Sequence, residues 1–424
     1  MRARITAILV VFAMASAAHA AVIAYYTGDG SSSWVSSGKY NNGWNTAADG
    51  SGTDLTGTVI DAADTVYVTQ GTAWANVDMP LVSVVNITGT GILKIQRNGL
   101  VPSLAVDGGS LMATTQYNNS TKSTTTLTIS GAGVTFLGNA AATTPDALNI
   151  LGVVSGTAPV NINGGRIQFS NAANNFVSTV NVGTGAALLM PQAQNTINGN
   201  DVVLAPGGVY WMYHNGSGWN TTNDIYGTNG SNANQAWWVF GNNGSTGPWG
   251  VGGNKDAEFR GVTFGAGPKE NGDGTGLLKI ASGFKNDDTN QDGTGVANTL
   301  NVWVGDGTAD KIVAGLWSIE DSHGSAVTLQ LQFAPGWTDG SYLIVDRTGW
   351  AWGNQPFIND TDQGGGVFQA TGTYDGYAWS CDVAYAGGDD NKDIVISNIA
   401  WVPEPASLGV LCMGGLALLM RRRR

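Results

Sequence analysis

Short apolar alternations recur at a nearly constant spacing between residues 64 and 212. Each copy has an apolar residue, any residue and a second apolar residue, with glycine close behind. The seven copies occupy residues 66–68, 85–87, 104–106, 127–129, 160–162, 180–182 and 202–204. Successive copies begin at similar intervals, except for one longer step from 127 to 160. A period of two predicts strands whose outer two side chains face a core.

A repeat of about 20 residues fits one coil of a parallel β-solenoid. Glycine allows the sharp turn that follows each strand, and further apolar runs at 92–95 and 134–137 predict the next side of each coil. The single longer step, from 127 to 160, predicts a coil with a loop insertion around 139–145. We therefore predict an all-β fold with a β-solenoid (β-helix) and its lead-in over residues 21–210. A sandwich of hairpins is the alternative.

The repeat breaks near residue 210, and a different pattern follows. Strand-like runs lie at 277–280, 300–304, 327–333, 342–345 and 393–396, with clear alternation in 327–333. Turn residues at Gly336, Asp339-Gly340 and Asp375-Gly376 separate them. Residues 211–400 are therefore predicted to hold a Trp/Asn/Gly-rich segment and a second β domain, a sandwich packed on the end of the solenoid.

Composition supports β structure and limits the partners. Glycine makes up 62 of 424 residues and charged residues only 12%, which disfavours helices. Without the six arginines and one glutamate of the two terminal segments, 13 basic and 30 acidic residues remain, a net charge of −17. Such a surface excludes nucleic acid and disfavours anionic lipid headgroups as partners. Of the two cysteines, Cys412 lies in the C-terminal apolar run, so Cys381 has no partner for a disulfide in the body.

Residues 1–20 have the three parts of a secretory signal peptide. Two arginines precede an apolar stretch, and Ala18-His19-Ala20 forms a small-residue cleavage site that leaves Ala21 as the new N-terminus. The chain is therefore predicted to be exported by the Sec machinery. An uncleaved membrane anchor is the alternative.

Residues 401–424 form a second targeting segment. Pro403, Glu404 and Pro405 precede an apolar run over 406–420 and four terminal arginines. The run predicts a single transmembrane helix, with Trp401 at the outer interface and the arginines in the cytoplasm. This order of features resembles the PEP-CTERM sorting signal. An ordinary tail anchor is the alternative.

The resemblance implies an exosortase as partner, recognition through the Pro-Glu-Pro triad and removal of the tail. It also implies a cell-envelope, cell-surface or extracellular-matrix location in a bacterium that makes exopolysaccharide, a further potential partner. The glycine-punctuated repeat loosely resembles autotransporter-associated β-helix repeats, in which the solenoid is a stalk or display surface. Both resemblances favour a structural or adhesive ectodomain.

Trp219, Trp237, Trp238 and Trp249 lie among Asn, Gly and Ser residues. Exposed tryptophans beside amides can stack on sugar rings, which makes a glycan-binding module the first alternative function. Tryptophans that cap or fill the core are the competing interpretation.

One short motif has metal-ligand spacing. Asp288, Asn290 and Asp292, followed by Gly293, can place three oxygen ligands around Ca²⁺. Thr299 stands where an EF-hand loop has glutamate, so a solvated acidic turn is the alternative. Calcium is the only cofactor that the sequence suggests.

The sequence shows no catalytic constellation. His214 and His323 are the only histidines after signal removal, and no Gly-x-Ser-x-Gly elbow or zinc motif occurs. We predict that the protein is not an enzyme. A β-helix polysaccharide lyase or hydrolase is the alternative, and it would require carboxylates that converge in a groove.

Overall fold

The structure is a computed structural model of the 424-residue chain. It describes residues 21–28, 33–36, 39–75, 82, 84–95, 103–113, 119–120, 126–138, 147–190, 197, 200–212, 224–228, 236–240, 256–258, 262–286, 298–319, 327–348, 351–354, 356–387 and 393–402. Within these ranges the chain forms 35 strands and no helix, so the described part is all-β.

The strands are short at first and lengthen toward the C-terminus. The lead-in strands are β1 (Ile23–Tyr26), β2 (Val35–Ser36), β3 (Lys39–Tyr40) and β4 (Trp44–Asn45). The next are β5 (Thr65–Val68), β6 (Thr72–Ala75), β7 (Val84–Thr88), β8 (Ile92–Ile95), β9 (Ser103–Asp107), β10 (Ser110–Ala113), β11 (Asn119–Ser120), β12 (Leu127–Ser130), β13 (Val134–Leu137), β14 (Ala147–Ile150), β15 (Val154–Gly156), β16 (Val160–Ile162), β17 (Gly165–Phe169), β18 (Val180–Val182), β19 (Ala186–Met190), β20 (Val202–Leu204) and β21 (Val209–Met212). The last are β22 (Ile225–Gly227), β23 (Ala236–Phe240), β24 (Asp256–Glu258), β25 (Thr263–Gly265), β26 (Leu277–Asn286), β27 (Asn298–Val304), β28 (Lys311–Ile319), β29 (Val327–Phe333), β30 (Tyr342–Arg347), β31 (Ala351–Asn354), β32 (Asp360–Asp362), β33 (Val367–Tyr374), β34 (Tyr377–Gly387) and β35 (Asp393–Val402).

Three large sheets contain most of these strands. The first has seven strands in the order β15-β12-β9-β7-β5-β1-β4, and the second has eleven in the order β29-β27-β25-β22-β20-β18-β16-β13-β10-β8-β6. The third has fifteen strands, with a main path from β11 through β14, β17, β19, β21, β23, β26, β28, β30, β35, β34 and β33 to β32. Most strands that are neighbours in these orders lie one repeat apart in the sequence. Each repeat therefore adds one strand to a sheet, and we call each such strand a row.

The apolar alternations form the strands that build the core. In all seven copies the outer two residues are buried and the middle one is not. Parallel pairing aligns these residues into columns, as where Val66 pairs with Val85 and Val85 with Leu104. Each fully buried aliphatic side chain contributes about 1.5–3 kcal/mol, so a column of them stabilises the stack.

The seven copies do not lie in one sheet, although their sequences suggest a single series. The first four belong to the first sheet, whereas the copies at 160–162, 180–182 and 202–204 belong to the second. The change occurs across the longer step from 127 to 160, because Leu127 pairs with Val154 while Val160 pairs with Val134. The longer step therefore includes a change of sheet, so the copies at 127 and 160 do not occupy equivalent positions. The insertion predicted around 139–145 lies outside the described residues.

The all-β class is confirmed for the described residues, but the predicted architecture of a parallel solenoid followed by a sandwich is wrong. Two of the three large sheets are mixed: β1 and β4 pair antiparallel in the first, and β30, β35, β34, β33 and β32 pair antiparallel at the end of the third. Instead of forming a separate sandwich, the later strands extend the second and third sheets, because their backbone groups pair with the rows before them. The predicted C-terminal helix over 406–420 lies outside the described residues. The residues that the structure does describe contain no helix.

Buried asparagine side chains accept hydrogen bonds from backbone N–H groups of other strands or loops. Asn174 Oδ1 accepts the N–H of Val154 at 2.8 Å, and Asn298 Oδ1 accepts the N–H of Val262 at 2.9 Å. An unpaired buried N–H costs about 1–3 kcal/mol, so these side chains stabilise the starts of β15 and β25.

Candidate functional site

Most of the residues predicted to carry function lie outside the described part of the chain. These are Ala18 and Ala20 of the signal, Pro403, Glu404 and Pro405 of the sorting motif, Asp288, Asn290 and Asp292 of the calcium motif, and Trp219 and Trp249. Ala21 is the first described residue. The assignments of these residues therefore stay predictions.

The structure describes only the backbone of the two remaining tryptophans. Trp237 and Trp238 lie in β23, where their Cα atoms pair with Val209 and Tyr210 of β21. On the other side they pair with Lys279 and Ile280 of β26. Both tryptophans thus occupy an interior strand of the third sheet.

A different set of aromatic side chains meets near the end of the described chain. Phe333 packs against Trp337, Tyr374 and Trp401, with ring centroids 4.8, 5.8 and 4.7 Å away. Trp401 also contacts Trp337 at 5.9 Å and Tyr377 at 5.7 Å. We call Trp337, Tyr374, Tyr377 and Trp401 the aromatic face, with Phe333 as its buried base.

The ends of four elements place these rings. Phe333 ends β29, Tyr374 ends β33, Tyr377 begins β34, and Trp401 is the penultimate residue of β35. Asp375 and Gly376 have φ values of 49° and 77°, the left-handed pair that a two-residue hairpin turn requires. The turn pairs Tyr374 directly with Tyr377, which brings both rings to the hairpin tip.

The aromatic face is open to solvent. Tyr377 is 61% exposed and Trp401 39% exposed, while Trp337 and Tyr374 are half-buried. Large aromatic side chains usually bury most of their surface, and clustered exposure marks an interaction surface.

Polar contacts hold the surrounding loops in place. Gln330 Nε2 donates to the carbonyl of Thr373 at 2.7 Å, and Asp339 Oδ1 accepts the N–H of Ile399 at 2.9 Å. The segments that form the face, 327–342, 367–387 and 393–402, contain four aspartates and no Lys, Arg or His. The face is therefore an apolar surface whose own loops contribute Asp339 and Asp375 and no basic side chain.

A second polar cluster lies on the second sheet. Lys269 Nζ is 2.6 Å from Asp201 Oδ2 and 5.5 Å from the ring centre of Tyr226. Asp224 Oδ1 accepts the N–H of Thr263 at 2.8 Å, and burial raises the pKa of the Asp224 carboxyl. Because Asp224 binds the next strand and Asp201 binds Lys269 across β22, we interpret the cluster as a link between β20, β22 and β25.

A third cluster is buried beneath the antiparallel strands. The Tyr385 hydroxyl donates to Asp360 Oδ2 and accepts the N–H of Phe357 at 2.6 Å. Burial raises the pKa of Asp360 to about 6, and it also raises the pKa of the Cys381 thiol. A buried thiol with a raised pKa is a poor nucleophile, so this arrangement supports packing rather than catalysis.

Metal binding receives no support from the described side chains, among which no three His, Cys, Asp or Glu residues are grouped as a metal site requires. The described part of the chain also includes no apolar helix of membrane-spanning length. Comparison with protein-family models, with curated proteins and with solved structures found no match.

The aromatic face was not predicted from the sequence. Its residues spread from Trp337 to Trp401, and the sequence analysis placed Trp401 at a membrane interface. The available signal was the Asp-Gly pair at 375–376, which predicts a two-residue hairpin flanked by Tyr374 and Tyr377. Only the tertiary structure shows that this hairpin pairs with β35 and packs against β29, which belongs to a different sheet.

Proposed function

We propose that the protein is an exported cell-surface or matrix protein, sorted by an exosortase, whose ectodomain has a structural or adhesive role. The observation that carries the proposal is the order of features at the C-terminus: Pro403-Glu404-Pro405, an apolar run and four arginines. The last strand, β35, ends at Val402, directly before this motif. The Pro-Glu-Pro motif therefore follows a paired strand directly, and the first two residues of the predicted segment 401–424 belong to that strand.

The row architecture is compatible with a spacer or display role. The second sheet has eleven strands in one hydrogen-bonded series. Strands lie about 4.8 Å apart, so this series spans about 48 Å. A rigid element of that length can hold the terminal loops and the aromatic face away from the opposite end of the stack.

The test is tail processing in a host that has an exosortase. The tail is expected to be removed from the wild-type chain, which is measured as a mass loss that includes Arg421–Arg424. Replacing Pro403, Glu404 and Pro405 together by alanine is expected to keep the tail and leave the chain in the membrane fraction. An exosortase-deficient strain that expresses the wild-type chain is the matched control. An intact wild-type tail in the competent host would contradict the proposal.

A further inference from the structure

We propose that the aromatic face binds an uncharged polysaccharide by stacking sugar rings on Trp401, Tyr377 and Trp337. The inference rests on the adhesive role proposed above and assigns that role to a particular surface. It concerns different residues from the tryptophans that the sequence singled out.

The chemistry of the face fits sugar rings. A pyranose has apolar C–H faces edged by hydroxyls, so it needs flat apolar surfaces with polar groups at their margins. Tyr377 and Trp401 supply exposed rings at a mutual angle of 73°, and their centroids are 5.7 Å apart. Tyrosine and tryptophan combine an apolar body with a polar tip, as this contact requires.

The face is firmly supported, which keeps the ordering cost of binding low. Phe333 is buried below the rings, and Trp303 packs against Tyr374 with centroids 6.0 Å apart. Trp303 Nε1 in turn donates to the carbonyl of Pro268 at 2.7 Å. Rings held in place before binding lose little side-chain freedom on contact with a ligand.

The charged residues near the aromatic face distinguish between the ligands that could bind it. Aromatic side chains also bind membrane interfaces, but such binding is usually strengthened by Lys and Arg beside anionic lipids. The segments that form this face contain no Lys, Arg or His, and Asp339 and Asp375 lie in its loops. An acidic environment repels anionic lipids and uronate-rich polysaccharides alike, and an uncharged glycan avoids this repulsion.

The test is affinity electrophoresis of the full chain in a zwitterionic detergent that has no sugar headgroup. Gels contain dextran, galactomannan or hydroxyethylcellulose, with polygalacturonate as the acidic comparison. We expect retardation by at least one neutral polysaccharide and none by polygalacturonate. Trp401→Ala and Tyr377→Ala are each expected to weaken binding about tenfold, or by about 1.4 kcal/mol. Tyr377→Phe keeps the ring and is expected to retain binding.

Controls separate stacking from misfolding and from other occupants. Tyr67→Ala removes a half-buried ring that stacks on Tyr25 at 5.2 Å, far along the first sheet, and is expected to leave binding unchanged. Each variant must have the wild-type urea midpoint. The proposal is overturned if none of the gels that contain a neutral polysaccharide retards the wild-type chain. It is also overturned if these gels retard the alanine variants as much as the wild type. It is also overturned if the alanine variants keep wild-type glycan binding but lose a binding to phosphatidylglycerol vesicles, or a self-association, that the wild type shows.

Failure here is distinguishable from failure of the sorting proposal. Glycan binding is measured on purified chain, whereas processing is measured as mass loss in the host. A chain that is processed but binds no neutral glycan would remove only the present inference.

Discussion

The rows between β5 and β21 and the region from β27 to β35 use similar apolar alternations but differ in what they bury. In the rows, very short strands such as β16, β18 and β20 bury aliphatic side chains in parallel columns. In the terminal region, strands such as β34 and β35 are much longer, and Asp310, Arg347 and Asp393 are buried. Both regions bury polar groups, since Arg166, Asn174 and Asn200 are buried in the rows. Among the described residues of the two regions, only the terminal region buries carboxylates, at Asp310 and Asp393.

The difference follows from how each region ends its sheets. A row pairs with the rows before and after it, so its backbone groups find partners by repetition. The last row has no successor, and an unprotected sheet edge invites association with another chain. Antiparallel hairpins, side chains that bind backbone and the aromatic face all lie at this end of the series.

The largest expected effect concerns Arg347. Its Nη2 donates to the Tyr385 carbonyl at 2.6 Å, and its backbone N–H donates to Asp393 Oδ1 at 2.8 Å. Arg347→Met removes a charged hydrogen bond, which is worth about 1.5–3 kcal/mol, and leaves the buried Tyr385 carbonyl without this donor, which costs about 1–3 kcal/mol more. We therefore expect a loss of about 3–5 kcal/mol in the free energy of unfolding. Urea denaturation measures it.

Lys311→Met is the matched control for this prediction. Lys311 lies 3.5 Å from Asp346, with about a third of each side chain exposed. A pair of this kind contributes about 0–1 kcal/mol. Equal losses in the two variants would show that burial does not distinguish them.

The next effect concerns pH. Burial raises the pKa of Asp310 to about 7, while N–H donors from Gly276 and Trp303 oppose the shift. Between about pH 4 and pH 7 the folded chain retains a proton that the unfolded chain has lost, so stability falls as pH rises through this window and then levels off. The expected decline is on the order of 4 kcal/mol, at about 1.4 kcal/mol per pKa unit.

Asp310→Asn isolates this contribution. The variant is expected to be less stable at pH 5 and to lose this part of the decline between pH 5 and pH 7. Asp49→Asn, at an exposed carboxylate, is expected to keep the decline. Urea midpoints at several pH values measure both slopes, and a wild-type slope in Asp310→Asn would count against the assignment.

A smaller effect concerns the edge strand β29. Asn359 pairs with its backbone, accepting the N–H of Leu329 at 3.0 Å and donating to its carbonyl at 2.9 Å. Asn359→Ala is expected to cost about 2 kcal/mol, at about 1 kcal/mol for each hydrogen bond, and to raise light scattering in concentrated solution.

Asn86→Ala is the comparison within the rows. Asn86 Nδ2 donates to the Val66 carbonyl at 3.0 Å, but β7 has a paired strand on each side. We expect a loss of about 1 kcal/mol or less and no increase in scattering. Similar scattering from both variants would show that Asn359 does not protect an edge.

Sequence alone determined the strands and the direction of their side chains. A period of two leaves one face apolar, and the buried pattern of β29, with every second residue buried, follows it. Prediction of sheet membership failed at residue 160, because a short apolar alternation has the same local form in either sheet. The targeting segments at the two ends are also predicted from the sequence, and both stay predictions.

Tertiary structure alone decided which rows pair, where pairing becomes antiparallel and which aromatic side chains meet. Trp337 and Trp401 are 64 positions apart in the sequence, yet their ring centroids lie 5.9 Å from each other. Their meeting depends on hydrogen bonds between β35, β34 and β30 and on the packing of β29 against β33. Because such long-range pairing depends on the whole set of backbone partners, no local pattern encodes it.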